Sequence, residues 1–297
     1  MIRFNHFANI LIVVASLLST TNRVTAQISP GSPTTQWVPI LYSSSFPDPS
    51  LDQQTGSSES DIVGNSNQPS LFMKFNDGGS PITTNGYFGI RLRVGADQSP
   101  PGYKGAAFVG MDVNNDGKLD LFIGVNNQGS GNIVGIWNPG TGANISPSTT
   151  SLVSPAIKSY TETAGNYSWL AVSATSDPTA INYDLNADTK TDQFLSFVIP
   201  FSDIVAALAA DGITGFTRDS AMSLVAATAT QDNSLNEDLN GVLGGINSST
   251  TWEQLGALTQ PYSPNGTAPI PEPGTVMLLG LGAGFLLLRT AAGKNRA

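Results

Sequence analysis

The sequence has no cysteine, and its one histidine is His6. Residues 1 to 26 carry Arg3, then an apolar run, then a small-residue ending at Ala26, which is the pattern of a secretory signal peptide rather than a buried helix. Once this segment is removed, the chain has neither a thiol nor an imidazole. These absences exclude disulfide bonds, Ser-His-Asp and Cys-His nucleophilic sites, and zinc held by nitrogen and sulfur ligands.

Basic residues are also scarce. Residues 27 to 268 contain eight of the 13 Lys and Arg residues and 21 of the 22 Asp and Glu residues, so this part has a net charge of −13, the difference between 8 and 21. Such a surface repels nucleic acid and anionic lipid, and it attracts divalent cations. We therefore expect no nucleic-acid partner.

Residues 27 to 69 are rich in Ser, Pro, Gly, Gln and Asp, with one predicted strand at Trp37 to Tyr42 and a long surface loop in the second half. From Leu71 onward, apolar or alternating runs of four to nine residues are separated by turn signals such as Asn85-Gly86. This spacing predicts a mainly β fold, an antiparallel β-sandwich over residues 70 to 260, followed by a linker over 261 to 269. The predicted strands are SLFMKF, YFGIRLRV, AAFVGM, LDLFIGV, NIVGIW, YSWLAVSA, QFLSFVIPF and a last one at Ser223 to Thr230.

Two local patterns add detail to the sandwich. In Tyr87 to Val94 the apolar residues alternate with Arg91 and Arg93, which predicts one face in a core and the arginines in water. One short helix is predicted with Ser202 as its N-cap and Asp211-Gly212 as its stop. A turn of helix is also predicted near Trp252 to Leu255.

The segment DVNNDGKLD, residues 112 to 120, has the spacing of a cation-binding loop. Acidic or amide side chains occupy its first, third, fifth and ninth positions, and glycine occupies the sixth. Calcium takes six to eight oxygen ligands, and the glycine permits the sharp turn that directs alternate side chains to one point. The predicted ligands are the side chains of Asp112, Asn114, Asp116 and Asp120 and the backbone oxygen of Lys118.

The spacing recurs 72 residues later in DLNADTKTD, with Thr189 in place of the glycine. The predicted ligands of this weaker second site are the side chains of Asp184, Asn186, Asp188 and Asp192 and the backbone oxygen of Lys190. A third patch, Asn236, Asp238 and Asn240, has only part of the spacing. The alternative for all three is a set of Asx turns without an ion, because Asp and Asn side chains bond their own backbone.

The first loop resembles the Dx[DN]xDG loops found in β-hairpins of extracellular bacterial proteins. It differs from an EF-hand because Ile123 stands at the twelfth position and the flanking segments are predicted strands. Two loops 72 residues apart fit neither a dockerin pair nor an integrin-type propeller.

Near the C-terminus, Pro271-Glu272-Pro273 precedes an apolar run from Val276 to Leu288 and then Arg289. Residues 270 to 297 thereby resemble the PEP-CTERM sorting signal of Gram-negative bacteria, although that family usually has a cluster of basic residues where this chain has Arg289. The resemblance implies export by the Sec machinery with signal peptidase, transient anchoring in the inner membrane by a hydrophobic helix at about 274 to 288, and cleavage by an exosortase. It places the protein at the cell surface or outside the cell, in bacteria that make exopolysaccharide and biofilm.

These observations lead us to expect a non-catalytic, calcium-stabilised surface or matrix protein rather than an enzyme. The first alternative is a carbohydrate-binding module for exopolysaccharide, with Trp137, Trp169 or Tyr183 stacking on sugar rings. The second is a glycan hydrolase that uses two carboxylates. Its candidate residues are Glu59, Glu162, Glu237 and Glu253.

Overall fold

A computed structural model describes residues 27–41, 48–54, 57–98, 101–129, 131–231, 233–242 and 248–266. The predicted signal peptide and sorting signal lie outside these residues. The described part contains eleven strands and two α-helices, α1 (Phe201–Ala210) and α2 (Trp252–Leu255). The strands are β1 (Val38–Pro39), β2 (Leu71–Asn76), β3 (Tyr87–Val94), β4 (Ala106–Asp112), β5 (Leu121–Asn126), β6 (Ile133–Trp137), β7 (Lys158–Thr161), β8 (Tyr167–Ala171), β9 (Gln193–Pro200), β10 (Ser223–Ala229) and β11 (Asp238–Leu239).

The strands form two antiparallel sheets. The first sheet has the order β1-β2-β3-β9-β8, and the second has the order β11-β10-β4-β5-β6-β7. The central pair of the first sheet, β3 and β9, aligns Ile90 with Phe197 and Leu92 with Leu195. The predicted mainly β, antiparallel fold is confirmed. The strands β7 and β11 were not predicted, and the strand expected at Trp37 to Tyr42 is only Val38–Pro39 among the described residues.

The main core lies between the two sheets. Alternate residues of each strand point inward, so Phe88, Ile90 and Phe197 from the first sheet pack in one cluster with Val109 and Ile123 from the second. Burying each of these side chains stabilises the fold by about 1.5–3 kcal/mol. The two sheets therefore form the predicted β-sandwich.

The outer face of each sheet is also covered. On the second sheet, Phe108 and Phe122 lie beneath Trp252, and the indole N–H of Trp252 donates to the carbonyl of Ala143 at 2.7 Å. On the first sheet, Phe194 lies in a cluster with Trp37 of the N-terminal segment. Strands that are buried on both faces lack a solvated row of side chains, which explains why β4 and β10 are buried along their whole length.

The prediction that Arg91 and Arg93 face water is wrong, because both side chains are fully buried. The guanidinium of Arg91 lies 4.5 Å from the Trp37 ring centroid, and it donates to the carbonyl oxygens of Pro30 and Ser32, both at 2.7 Å. Burial lowers the pKa of Arg91 to about 10, while the charge of Asp177 opposes this shift. The guanidinium thus fixes residues 30 to 37 over the first sheet.

Arg93 forms a buried ion pair with Asp192. Its Nε donates to Asp192 Oδ2 at 2.7 Å, and neither side chain is accessible beyond 1%. A further N–H donates to the carbonyl of Asn182 at 2.8 Å. The pair links the middle of the first sheet to the loop that precedes β9.

The surface loop predicted for the second half of residues 27 to 69 is also corrected in part. Glu59, Ser60, Asp61, Ile62 and Val63 are all at most 5% exposed. Ile62 forms an antiparallel bridge with Val94, the last residue of β3. This segment therefore packs into the domain rather than over its surface.

The two helices match the predicted positions, but one cap differs. Helix α1 begins at Phe201 directly after Pro200, so Ser202 lies inside the first turn and is not the N-cap. Helix α2 is held by a reciprocal capping box between Thr251 and Gln254, and it ends at Gly256 in the left-handed conformation. Within the described ranges, neither helix is long and apolar enough to cross a membrane.

Candidate metal centres

The loop at residues 112–120 closes the hairpin between β4 and β5. These strands pair as far as Met111 and Leu121, and the N–H of Asp120 donates to the carbonyl of Met111 at 2.8 Å. The flanking elements are strands, as the spacing and composition predict. The hairpin brings the first and ninth residues of the loop together across its base.

Within this loop each predicted side-chain ligand accepts a bond from a backbone N–H. The two carboxylate oxygens of Asp112 accept from Asp116 at 3.2 Å and Gly117 at 2.9 Å. Asn114 Oδ1 also accepts from Asp116 at 3.0 Å, and Asp116 Oδ1 accepts from Lys118 at 3.0 Å. These bonds fix the course of the loop, but among the described residues neither Asp112, Asp116 and Asp120 nor Asp184, Asp188 and Asp192 form a group whose carboxylate oxygens all lie within 4.8 Å of one another.

The ninth residue, Asp120, closes the loop from the other end. Its Oδ2 accepts from the N–H of Val113 at 2.9 Å, and its Oδ1 lies 3.5 Å from the amide nitrogen of Asn114. Burial is the main cause that raises the pKa of both Asp112 and Asp120, and each carboxylate also feels an acidic neighbour. A bound cation would reverse this effect by stabilising both charges.

The loop at residues 184–192 repeats these bonds at the same offsets. Asp184 accepts from the N–H groups of Asp188 at 3.1 Å and Thr189 at 2.9 Å, and Asn186 accepts from Asp188 at 3.3 Å. The remaining acceptors follow the same order, with Asp188 bonded to Lys190 N at 2.9 Å and Asp192 bonded to Leu185 N at 3.1 Å. The two loops therefore share one conformation.

The backbone angles support this equivalence. Asn115 and Ala187, which occupy the fourth position, have φ of 56° and 57°. Gly117 and Thr189, which occupy the sixth, have φ of 81° and 71°. Thr189 thus adopts the left-handed conformation that usually requires glycine, so the second loop keeps its shape despite the substitution.

The loops differ in what surrounds the ninth carboxylate. Asp192 is paired with the buried Arg93, whereas the charged groups that act most on Asp120 are Asp116 and Lys118. Burial raises the pKa of Asp192 to about 6 even though Arg93 lowers it. In the second loop one charge is thus already balanced by the protein.

Carboxylate oxygens in both loops keep lone pairs that could bind a cation. A carboxylate oxygen that accepts one backbone N–H keeps a lone pair for a cation, and Asp188 Oδ2 is buried without any hydrogen-bond donor. The N–H groups of Lys118 and Lys190 are used inside the loops, while the ligand role of their carbonyl oxygens remains a prediction. The oxygen-only donor set suits calcium.

The third patch does not form a loop of this kind. Asp238 lies in strand β11 and Asn240 directly follows it, and both side chains are at most 5% exposed. Asp238 instead lies beside Asp52 and Asp61, which sequence reasoning did not connect with it. No local spacing could have indicated this grouping, because Asp238 lies far along the chain from Asp52 and Asp61.

The three aromatic residues considered for sugar binding differ in their exposure. Trp137 is 2% exposed and packs edge-on against Phe108 at 5.2 Å. Trp169 is half-buried and packs against Tyr103 with ring centroids 5.3 Å apart, and Tyr183 is 40% exposed. Trp137 as a sugar platform is therefore excluded by its burial.

The glutamates considered for glycan hydrolysis are split between the interior and the surface. Glu59 and Glu237 are each 3% exposed, whereas Glu253 is exposed. Burial raises the pKa of half-buried Glu162 to about 7. A carboxylate as buried as Glu59 cannot contact a polysaccharide chain without movement of the fold.

Comparison with known families adds one finding outside the described residues. The PEP-CTERM protein-sorting motif matches residues 269–289. The chain carries this sorting motif. The PEP-CTERM motif implies that the protein is exported, held by its C-terminal segment, and processed by an exosortase on its way to the cell surface. No curated protein and no solved structure matches the chain.

Proposed function

We propose that the protein is a non-catalytic component of the cell surface or extracellular matrix, with a β-sandwich stabilised by calcium in the loops 112–120 and 184–192. The observation that carries the proposal is the repetition of one hydrogen-bond pattern in both loops, with four oxygen-bearing side chains at the same offsets. Export supports it, since calcium is often abundant outside cells and the mature chain has no disulfide to stabilise it.

The chemistry of the loops favours a structural role for the cation. Each loop closes a bend next to a strand of the sandwich, so an ion there would hold the strand ends together. The chain outside residues 1 to 26 offers no thiol or imidazole to act as a nucleophile or general base. The ion would neutralise carboxylates that burial otherwise destabilises.

Thermal unfolding of the full-length chain tests the calcium proposal. The protein is stripped with EDTA and then compared with and without added calcium. At a calcium concentration 100 times the dissociation constant, one site contributes about 2.7 kcal/mol, which corresponds to a rise in Tm of about 5–11 °C for a domain of this size. An unchanged Tm across this comparison would overturn the proposal.

Two variants connect the effect to the loops. In Asp116→Asn and Asp188→Asn the amide oxygen can still accept the bond from Lys118 or Lys190, while one ligand charge is lost. Each variant should lower the calcium-dependent gain in Tm. The matched control is Asp97→Asn, whose side chain also accepts a backbone bond, from Gly102, but lies outside both loops. Equal effects in all three variants would contradict the assignment.

Sorting is tested separately in the native host. Replacing Pro271, Glu272 and Pro273 with alanine should leave the protein in the inner membrane, whereas Thr267→Ala, outside the matched residues, should not. Cell fractionation and immunoblotting measure the distribution. Normal release of the triple variant would contradict exosortase processing at this motif.

A further inference from the structure

Three aspartates from two distant parts of the chain meet near the edge of the second sheet. Asp52, Asp61 and Asp238 each place one carboxylate oxygen within 4.8 Å of the others. Asp61 is 0% exposed and Asp238 is 5% exposed, while Asp52 is partly exposed. None of the three belongs to the loops 112–120 and 184–192, so they constitute a separate group, called here the acidic cluster.

Backbone and side-chain donors hold the acidic cluster in place. Asp238 Oδ2 accepts from the N–H of Ile62 at 2.6 Å, and Asp61 Oδ1 accepts from the N–H of Leu51 at 2.8 Å. Asp61 Oδ2 accepts from the side-chain amide of Asn186 at 3.1 Å. The carboxylates are therefore held by the fold, and their hydrogen bonds connect residues 51 to 62 with β11 and with the second loop.

A fourth carboxylate, Asp48, supplies an independent observation. Asp48 is 4% exposed, and its Oδ1 accepts from the N–H of Gly241 at 2.6 Å, but its Oδ2 is buried without a donor. The bond to Gly241 places Asp48 near the end of β11, and burial together with the charges of Asp238, Asp52 and Asp61 raises its pKa. Asp52 Oδ1 is likewise buried and lacks a donor.

The described residues place no basic partner in an ion pair with these four side chains. The three ion pairs among the described residues are Arg93–Asp192, Lys158–Asp203 and Arg218–Asp77. Burial is the largest cause that raises the pKa of all four carboxyl groups, to about 6 for Asp52. Three buried carboxylates beside the half-buried Asp52, with unfilled oxygen lone pairs, need either protons or a cation.

We propose that Asp48, Asp52, Asp61 and Asp238 bind a further divalent cation of the calcium class. The donors are oxygens alone, which disfavours zinc. Three protein carboxylates converge, with Asp48 as a fourth candidate ligand, and this exceeds the one or two carboxylates that magnesium commonly uses while keeping its waters. The ion fastens residues 48 to 61 to β11. None of the predicted ligands of the two loops belongs to this set, although Asn186 of the second loop donates to Asp61.

Counting calcium ions by native mass spectrometry tests the proposal on the full-length chain in mild detergent. Asp52→Asn is the main variant, since Asp52 is the most exposed of the four and its substitution disturbs the interior least. The variant should bind one calcium ion fewer than the wild type, or bind it at least about tenfold more weakly, because ligand charge sets affinity. Asp238→Asn should show the same loss, and Asp97→Asn should show none.

The comparison separates this site from the loops. If the loops bind no calcium, the wild type still holds one ion and Asp52→Asn holds none, so failure of the proposed function leaves this result intact. An equal calcium count and affinity in the wild type and Asp52→Asn would overturn the proposal. A rise in the Tm of Asp52→Asn in EDTA, with an unchanged calcium count, would show repulsion among the carboxylates that no cation relieves, and would also overturn the proposal.

Discussion

Thr189 and Gly117 occupy the same turn position in the two loops, and exchanging the residue types should change stability in opposite directions. Thr189 has φ of 71°, where a side chain with a Cβ atom costs about 1–2 kcal/mol. Replacing it with glycine removes this strain, but the unfolded chain gains conformational entropy, which destabilises the fold by about 0.4–1 kcal/mol. We expect Thr189→Gly to stabilise the fold by up to about 1 kcal/mol.

The reverse substitution, Gly117→Thr, should destabilise the fold by about the same amount. A Cβ atom at position 117 would lie 3.4 Å from Glu253 Oε2, which is an ordinary contact, so the cost comes from the backbone conformation rather than from a clash. For a domain of this size, 1 kcal/mol corresponds to about 2–4 °C in Tm. Both effects are large enough to measure.

Thermal and urea unfolding in excess EDTA measure these changes without a contribution from metal. The control is Thr191→Gly in the same loop, where Thr191 does not have a positive φ. Glycine there only adds unfolded-state entropy, so this variant should be less stable than the wild type. If Thr189→Gly loses as much stability as Thr191→Gly, the reasoning from backbone strain is wrong.

Three further predictions concern buried or half-buried groups. Asp192→Ala should lower the free energy of unfolding in urea by about 3–5 kcal/mol, because it leaves Arg93 buried without its charge partner. The double variant Arg93→Met with Asp192→Leu should lower it by less. Equal losses of stability in the two variants would contradict this prediction. Trp37→Ala should cost about 3–5 kcal/mol in the same assay, because Trp37 is buried and stacks on Arg91; a loss below about 1 kcal/mol would refute that role. Burial raises the pKa of Glu162 to about 7, so its contribution to the free energy of unfolding is complete below its ordinary pKa of 4.5 and is lost as pH rises through 7. Plots of Tm against pH should therefore differ in slope between the wild type and Glu162→Gln over this range. Parallel plots would contradict this prediction.

The features predicted correctly from the sequence are those that depend on neighbouring residues. Strands such as Tyr87–Val94 are recognisable because alternation and turn residues act within a few positions. The loops at 112–120 and 184–192 are recognisable for the same reason, since the bonds from their backbone N–H groups to the predicted side-chain ligands join residues at most seven positions apart. Local spacing therefore determines both the strand and the loop.

The features that sequence reasoning missed depend on distant segments. The alternation in β3 correctly indicated two faces, but it could not show that Trp37 and Pro30 cover the face that bears Arg91. In the acidic cluster, Ile62 and Asp238 are bonded although they lie 176 positions apart. Only the chain topology brings such residues together, and no spacing rule encodes it.

The two missed strands have a different explanation. Strand β7 is a four-residue edge strand whose side chains are mostly exposed, so its sequence lacks the apolar runs used to recognise the others. Strand β11 has two residues, Asp238–Leu239, and pairs only with β10. Short edge strands are specified by the strand they pair with more than by their own composition.

The burial of the N-terminal segment has a consequence for the order of events during export. Ile28 is 2% exposed in the cluster with Trp37, and Gln27 donates to the carbonyl of Gly165 at 2.7 Å. Cleavage of the predicted signal peptide after Ala26 therefore leaves the new N-terminus within two residues of a packed cluster. A signal peptide still inserted in the bilayer would hold these residues at the membrane. Ile28 and its neighbours would then pack on the outer face of the first sheet only after the peptidase has cleaved the chain.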